Sequence, residues 1–294
     1  MKVTSLQDVE PRPRKVAVGT FDGVHLGHRE VIRGNDTVLT FDPHPLAVVR
    51  PDVLPKLISS YPIKRDLIAG LGVDELVVIP FDEEFSKKTA DEFIDEVLVD
   101  RLQATHVSVG ENFQFGQKAK GSPALLSERT DFKTRVVPLV EVQGETVSSS
   151  HIRGLVAAGE VKEAADFLGG PFLFQGEVVH GDKRGRELGF PTANIVPSPE
   201  LVVPGHGVYA AWAHGQPAAV NVGVRPTFVT GRGLLIEAFL LDFDGDLYGD
   251  DLRVAFVERL RGEKRFESVD DLIAQMELDV QRAREICSAT VFRR

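Results

Sequence analysis

Apolar positions along this chain follow two rhythms, and the change between them comes near residue 170. In the first part, short apolar runs at Lys15–Val18, Thr37–Phe41, Glu75–Ile79, His106–Val109 and Arg135–Leu139 read as strands. Amphipathic stretches between several of them read as helices. Thr89-Ala-Asp-Glu92 stands before Phe93, Ile94, Val97 and Leu98 as a capping box, in which the Thr hydroxyl and the Glu carboxylate satisfy exposed N–H groups. Such β-α alternation predicts a parallel sheet covered by helices, with ligands beyond the C-terminal strand ends. Gly169-Gly170-Pro171 cannot continue a helix and marks a boundary, so the expected domains are 1–168 and 172–290. Beyond it the period is two, at Phe172–His180, Val208–His214, Ala218–Val222, Leu234–Leu241 and Leu252–Leu260. Short strands with Gly- and Pro-rich turns predict an antiparallel sandwich or barrel. A last helix follows, capped by Ser268. Its apolar stripe of Val269, Leu272, Ile273, Met276, Val280 and Ala283 reads as packing surface.

Composition narrows the partners. A chain of 294 residues with 43% hydrophobic side chains has material for two cores. The net charge of −10 argues against a nucleic-acid polymer as partner, because affinity for a phosphate backbone needs clustered Lys and Arg. The single cysteine, Cys287, excludes an internal disulfide framework and fits a reducing compartment. The start of the chain carries no basic-then-apolar signal, and no apolar run approaches the ~18 residues a membrane helix needs. The expectation is a cytoplasmic protein without a membrane partner; self-association into a homo-oligomer is left open.

Two segments carry the chemistry. The first is Gly19-Thr-Phe-Asp-Gly-Val-His-Leu-Gly-His28, between an expected strand and an expected helix. Gly19, Gly23 and Gly27 permit a tight turn and a close approach of backbone to phosphate. A lone histidine there would usually be structural. His25 and His28, three apart at a helix start, can instead face one ligand and stabilise charge building on a phosphorus centre. Thr40-Phe-Asp-Pro-His-Pro45, Gly110-Glu-Asn-Phe-Gln-Phe-Gly116 and Val147-Ser-Ser-Ser-His-Ile-Arg153 follow other strands, and all should converge on the same cleft.

The second segment runs from Gly176 to Asn194. Thr192 and Asn194 are two apart in extended chain, so their oxygens share a face and suit Mg²⁺. The loop before them, with Gly181, Lys183 and Arg186, could fold over a triphosphate; alone it would read as a polar hairpin. Glu237 alternates with Leu235, Phe239 and Leu241, and these apolar neighbours make it a candidate base, with a rim salt bridge as the plainer reading. Asp242-Phe-Asp-Gly-Asp246 lacks the spacing of a calcium loop, and Asp244-Gly245 reads as a hairpin turn.

The stretch from Gly19 to His28, with Ser148-Ser-Ser-His-Ile-Arg153, resembles the HxGH nucleotidyltransferases. Together with Gly110-Glu-Asn-Phe113 and Phe41-Asp-Pro-His-Pro45 it resembles the adenylyltransferase half of prokaryotic bifunctional riboflavin kinase/FAD synthetases. Gly176–Asn194, Asn221–Phe228, Asp242–Gly249 and Leu260–Phe266 resemble the riboflavin kinase half of the same family. The resemblance implies a Rossmann-like α/β domain followed by a six-stranded antiparallel barrel with a C-terminal helix. By it, His25 and His28 handle ATP phosphates, and Gly19, Phe21, Asp22, Gly23, Gly27, Asn112, Ser148, Ser149, Ser150 and Arg153 complete the nucleotide site. His44, Asn221 and Arg265 would meet flavin, Glu237 would be the kinase base, and Thr192 and Asn194 would hold metal and phosphate. The implied partners are riboflavin, FMN and ATP, with Mg²⁺ as cofactor. Two departures stand out. Residues 29–36 alone separate His28 from Thr37, which predicts a helix of little more than a turn. Gln114 stands where the family commonly has a basic residue. A kinase with an inactive first half, or a flavin-binding protein without turnover, are the competing readings.

Overall fold

A computed structural model describes residues 1–180, 190–224 and 233–290. The chain divides into two compact units, one of Met1–Pro55 with Tyr61–Ser149, the other of Lys56–Ser60 with Ser150–Arg294. The contact boundary thus falls ahead of Gly169, and α6 (Ser149–Ala158) and α7 (Val161–Leu168) group with the second unit almost entirely.

The first unit is built on a six-stranded sheet in the order β1-β4-β3-β2-β5-β6. Its strands are β1 (Lys2–Ser5), β2 (Arg14–Val18), β3 (Thr37–Asp42), β4 (Glu75–Pro80), β5 (Ala104–Gly110) and β6 (Lys133–Val137). Every pairing is parallel. β1 is absent from the sequence reading for a physical reason. Its Val3 points to solvent, while its polar Thr4 is buried and donates to Glu75 Oε1 at 3.2 Å. The last strand ends at Val137, and Leu139 beyond it is exposed.

Alternation within the strands gives the sheet two apolar faces. Val16, Val18, Leu39, Val77 and Val107 pack with Phe93, Ile94, Val97 and Leu98. These helical residues follow the capping box at Thr89, where Glu92 N–H donates to Thr89 Oγ1 at 3.2 Å and Thr89 N–H to Glu92 Oε2 at 2.7 Å. The short α4 (Ala90–Glu92) widens there into a π-helix over Phe93–Arg101. On the opposite face Ala17, Val38 and Leu76 pack with Val31 and Ile32 of α1 (Leu26–Ile32) and Ile68 of α3 (Tyr61–Ala69). Between these helices lies α2 (Pro45–Val49). The crossover from β2 to β3 is complete despite its brevity, because α1 begins at Leu26, ahead of His28. Asn35 Nδ2 donates to the carbonyls of Val31 and Ile32, and Arg135 Nη2 reaches the Val31 carbonyl at 3.1 Å, so the helix end is satisfied. α5 (Pro123–Ser127) and a small ribbon of β7 (Glu141–Val142) and β8 (Glu145–Thr146) complete the unit.

In the second unit six strands close into an antiparallel barrel, in the order β10-β13-β12-β11-β14-β9. They are β9 (Phe172–Val179), β10 (Ala193–Ile195), β11 (Gly207–Ala213), β12 (Gln216–Val224), β13 (Leu234–Leu240) and β14 (Asp251–Arg261). Phe172, Phe174, Ile195, Val220, Ile236, Ala238 and Phe256 are buried in this unit, most of them completely. β13 and β14 are not neighbours, so Asp244-Gly245 is part of a crossing loop and not a hairpin turn. The terminal helix α8 (Val269–Ala289) starts at Ser268, whose Oγ accepts from Asp271 N–H at 3.1 Å. Ala283 and Cys287 bury it against Val208, Ala210 and Leu260. Val269, expected in the packed stripe, is 59% exposed, because it sits in the first turn, before the buried part of the helix. Among the described residues no helix is long and apolar enough to cross a membrane.

Candidate active sites

In the first unit the strand order reverses beside β2, whose following strand β3 lies on one side and β5 on the other. A parallel sheet opens a crevice at such a point, beyond the C-terminal strand ends. The Gly19–His28 segment fills this place. Phe21 (φ 52°), Gly23 (φ 84°) and Val24 (φ 43°) turn the chain through left-handed conformations. For a non-glycine residue such backbone costs roughly 1–3 kcal/mol and persists only where packing enforces it. Here the side chains of Phe21 and Val24, 1% and 0% exposed, are locked into the core beneath the sheet. A Cβ on Gly19 would lie 3.0 Å from the Phe21 ring, so a side chain there would press on that ring.

His25 caps α1: its Nδ1 accepts from His28 N–H at 3.3 Å. A ring nitrogen that accepts carries no proton, so the His25 N–H lies on Nε2. The two imidazoles stack, centroids 3.6 Å apart and 14° from parallel, with the Phe21 ring edge-on to His28. His28 Nδ1 is buried and has no hydrogen-bond partner among the described residues. Burial, then the His25 ring and the Lys64 ammonium, hold the His28 imidazole well below the usual histidine range. It is neutral at physiological pH.

Of the remaining predicted residues, Ser149 meets the turn directly. Ser149 Oγ donates to the Asp22 carbonyl at 3.2 Å, which ties the start of α6 to the turn. Asp22 is buried, and Ser148 is half-buried. Ser150 is exposed and Arg153 half-buried, and both belong to the second unit. A Cβ on Gly27 would lie 3.3 Å from the His25 ring and 4.0 Å from the Val147 carbonyl. Asn112 is exposed in the turn after β5, beside the equally exposed Gln114. His44 caps α2, its Nδ1 accepting from Leu46 N–H at 3.1 Å. Lys64 was not foreseen. It comes from α3, where a Lys-Arg pair in an amphipathic helix looks like a solvent face, yet its Nζ donates to the Phe41 carbonyl at 3.2 Å.

The second site depends on strand register. Asn194 on β10 stands opposite Glu237 on β13, and Glu237 stands opposite Asn221 on β12. Directly paired residues of antiparallel strands share a face. Asn194, Glu237 and Asn221 therefore form one row across three strands, on the face opposite the one that Ile236 and Ala238 bury. Asn221 Nδ2 donates to Glu237 Oε2 at 3.3 Å. Asn194 is 5% exposed; its Nδ2 donates to the Thr192 main-chain oxygen at 3.2 Å, and its buried Oδ1 has no hydrogen-bond partner among the described residues. An unpaired buried amide oxygen costs about 1–3 kcal/mol, so this atom is poised for a ligand.

Glu237, Asn221 and Thr192 line a cavity of about 650 Å³. Phe190 and Phe239, edge to face at 5.4 Å, form one part of its wall. Leu272, Met276 and Val280 of α8 form another, so part of the stripe read as packing surface faces the cavity. Arg265 also lines it, as does Phe266, whose ring lies 5.7 Å from the Arg261 guanidinium and 5.5 Å from Lys264 Nζ. Buried Asp279 anchors this wall, accepting from Arg261 Nε and Nη2 at 2.9 and 2.8 Å and from Gln275 at 3.1 Å. Gly181, Lys183 and Arg186 lie outside the described residues.

Family models match both units: FAD synthetase over residues 7–151 and riboflavin kinase over residues 168–287. The bifunctional riboflavin kinase/FMN adenylyltransferase of Listeria monocytogenes is 37% identical over 288 residues, covering 92% of this chain and 91% of that one. This chain belongs to the bifunctional riboflavin kinase/FMN adenylyltransferase family. Family members in Bacillus subtilis, 38% identical over 91% of this chain and 90% of theirs, and in Escherichia coli, 36% identical over 94% and 93%, agree across both units. A solved structure described as a macrolide-efflux protein from Streptococcus pneumoniae shares the fold, with a TM-score of 0.85 and 31% identity over 97% of this chain and 99% of that one. Membership makes the chain an ATP-using enzyme with an FAD synthetase region and a riboflavin kinase region.

Proposed function

We propose that the two activities are divided between residues 1–168, which adenylylate FMN to FAD, and residues 172–290, which phosphorylate riboflavin. The observation that supports the kinase assignment best is the row Asn194–Glu237–Asn221 beside the cavity, with one buried oxygen left unpaired. Glu237 takes the proton of the ribityl 5′-hydroxyl as that oxygen attacks the γ-phosphorus of ATP, and ADP leaves. Asn221 orients the carboxylate by its hydrogen bond and borders the flavin, whose ring lies between the barrel wall and α8, with Arg265 at its edge. Thr192 and Asn194 offer hard oxygen ligands, which fits Mg²⁺. Held there, the ion would supply positive charge to neutralise the phosphate oxygens during transfer. Gly181, Lys183 and Arg186 are assigned to the triphosphate on their sequence alone.

In the first unit a phosphate oxygen of FMN attacks the α-phosphorus of ATP and pyrophosphate leaves. His25 Nε2–H and the neutral His28 ring donate hydrogen bonds as charge grows on the phosphates. Gly19, Phe21, Asp22, Gly23 and Gly27 shape the nucleotide turn, Ser148, Ser149 and Asn112 border it, and Ser150 and Arg153 are assigned to the nucleotide on their sequence alone. His44 borders the flavin. The substrates are riboflavin, FMN and ATP; the working compartment is the cytoplasm.

Chromatography of flavins tests the division. Glu237→Gln and His28→Ala are each given Mg²⁺ and ATP with either riboflavin or FMN. Each variant should lose one conversion and keep the other. A variant that loses both would overturn the division of labour.

A further inference from the structure

α3 buries Ile63 and Ile68, and that packing carries Lys64 to the ends of two strands. Its Nζ donates to the carbonyls of Thr20 at 3.5 Å and Phe41 at 3.2 Å. Thr20 opens the turn that leads to His25, and Phe41 precedes the loop that carries His44. An ammonium has three donors, and two of them link separate strand exits. The neighbouring Arg65, by contrast, pairs with Asp66 at 2.8 Å near the surface. Burial holds Lys64 below the usual lysine range, against the pull of Asp42 and Asp22. Lys64 is half-buried, and even partial loss of water costs an ammonium solvation that its two carbonyl partners must offset.

We propose that Lys64 is a positioning residue of the adenylyl-transfer site, tying the exits of β2 and β3 together and presenting a fixed positive charge beside His28. The inference rests on the assignment of His25 and His28 to that site. The charged and titratable groups around this point are His25 at the cap of α1, Asp22 in the turn, Asp42 on β3, and Lys64 and Tyr61 on α3. The Tyr61 ring centroid is 5.9 Å from Lys64 Nζ, and burial and Asp42 push its hydroxyl above the usual tyrosine range, so it stays neutral. Lys64 is thus the fixed positive charge among these groups that opposes protonation of His28.

The test is kcat against pH for FAD formation from FMN and ATP. Lys64→Met should lower kcat about tenfold to a hundredfold. It should also move the acid limb to higher pH, because His28 becomes easier to protonate once the positive charge is gone. Lys64→Arg keeps the charge and should leave the acid limb at its wild-type position, with part of the lost rate restored. Riboflavin phosphorylation in the same samples should not change. A Met variant with wild-type kcat and an unmoved limb, or an Arg variant whose limb moves as the Met variant's does, overturns the proposal. If Lys64→Met loses its thermal transition, Lys64→Gln takes its place in the same comparison. If His28→Ala itself leaves FAD formation intact, the site assignment fails instead, which keeps the two failures distinct.

Discussion

In the N-terminal unit the residues from Gly19 to His28 come from one short segment, whereas Thr192, Asn194, Asn221, Glu237 and Arg265 of the barrel come from separate parts of the chain. The first site is held by local means: a cap, a strained turn and two stacked rings. The second is held by pairing, because Glu237 meets Asn194 and Asn221 only while β10, β13 and β12 keep their register. A slip of one residue would turn every side chain of a strand to the opposite face. The local site depends on a few torsions, and the distributed one on the whole barrel.

The contrast can be broken most severely at Glu237. Glu237→Gln retains shape and removes the proton acceptor, so FMN formation should fall by about 10³-fold while adenylylation of supplied FMN persists. Retained phosphorylation, measured by flavin chromatography, would remove Glu237 from its role. Next comes His28→Ala, expected to lower FAD formation about 10²-fold with the kinase rate unchanged. Asn194→Ala should lower the kinase rate roughly tenfold and raise the Mg²⁺ concentration needed for half-maximal rate, by analogy with the loss of one ligand or its support. An unchanged Mg²⁺ titration would argue that the unpaired Oδ1 does not meet the metal.

The smallest effect is on stability against pH. His28 is depressed in the folded protein, so below the ordinary histidine pKa of ~6.5 the unfolded chain binds a proton that the folded one does not. Stability contributed by neutral His28 is therefore present above about pH 6.5 and declines as pH falls toward the folded pKa. Thermal melts of His28→Gln should show a shallower decline over that window than the wild type; parallel declines would contradict it.

Much of this architecture was legible from periodicity, since strands of both units were apparent as β-rich or alternating runs. β1 escaped because its inward residue is Thr4 and its apolar Val3 faces out. The glycine–histidine turn was readable because its spacing is local. The row across β10, β13 and β12 was not, because register is a property of pairs of strands. Lys64 left no trace, since nothing in Tyr61–Ala69 says which side of the helix meets the strand exits. α8 was half understood: apolar spacing identifies a buried stripe but cannot distinguish neighbours made of protein from an open cavity.

Residues 56–60 have one further consequence. Leu57 N–H donates to the Glu200 carbonyl at 2.7 Å, and the Leu57 carbonyl accepts from Val202 N–H at 2.9 Å, so this pentapeptide completes the barrel unit from within the stretch that encodes the other one. Excising the barrel by a single scission near residue 150 would amputate that strap and leave the Glu200 carbonyl and the Val202 N–H without their Leu57 partners. The halves are interleaved along the polypeptide, and a fragment meant to stand alone would need the strap grafted back.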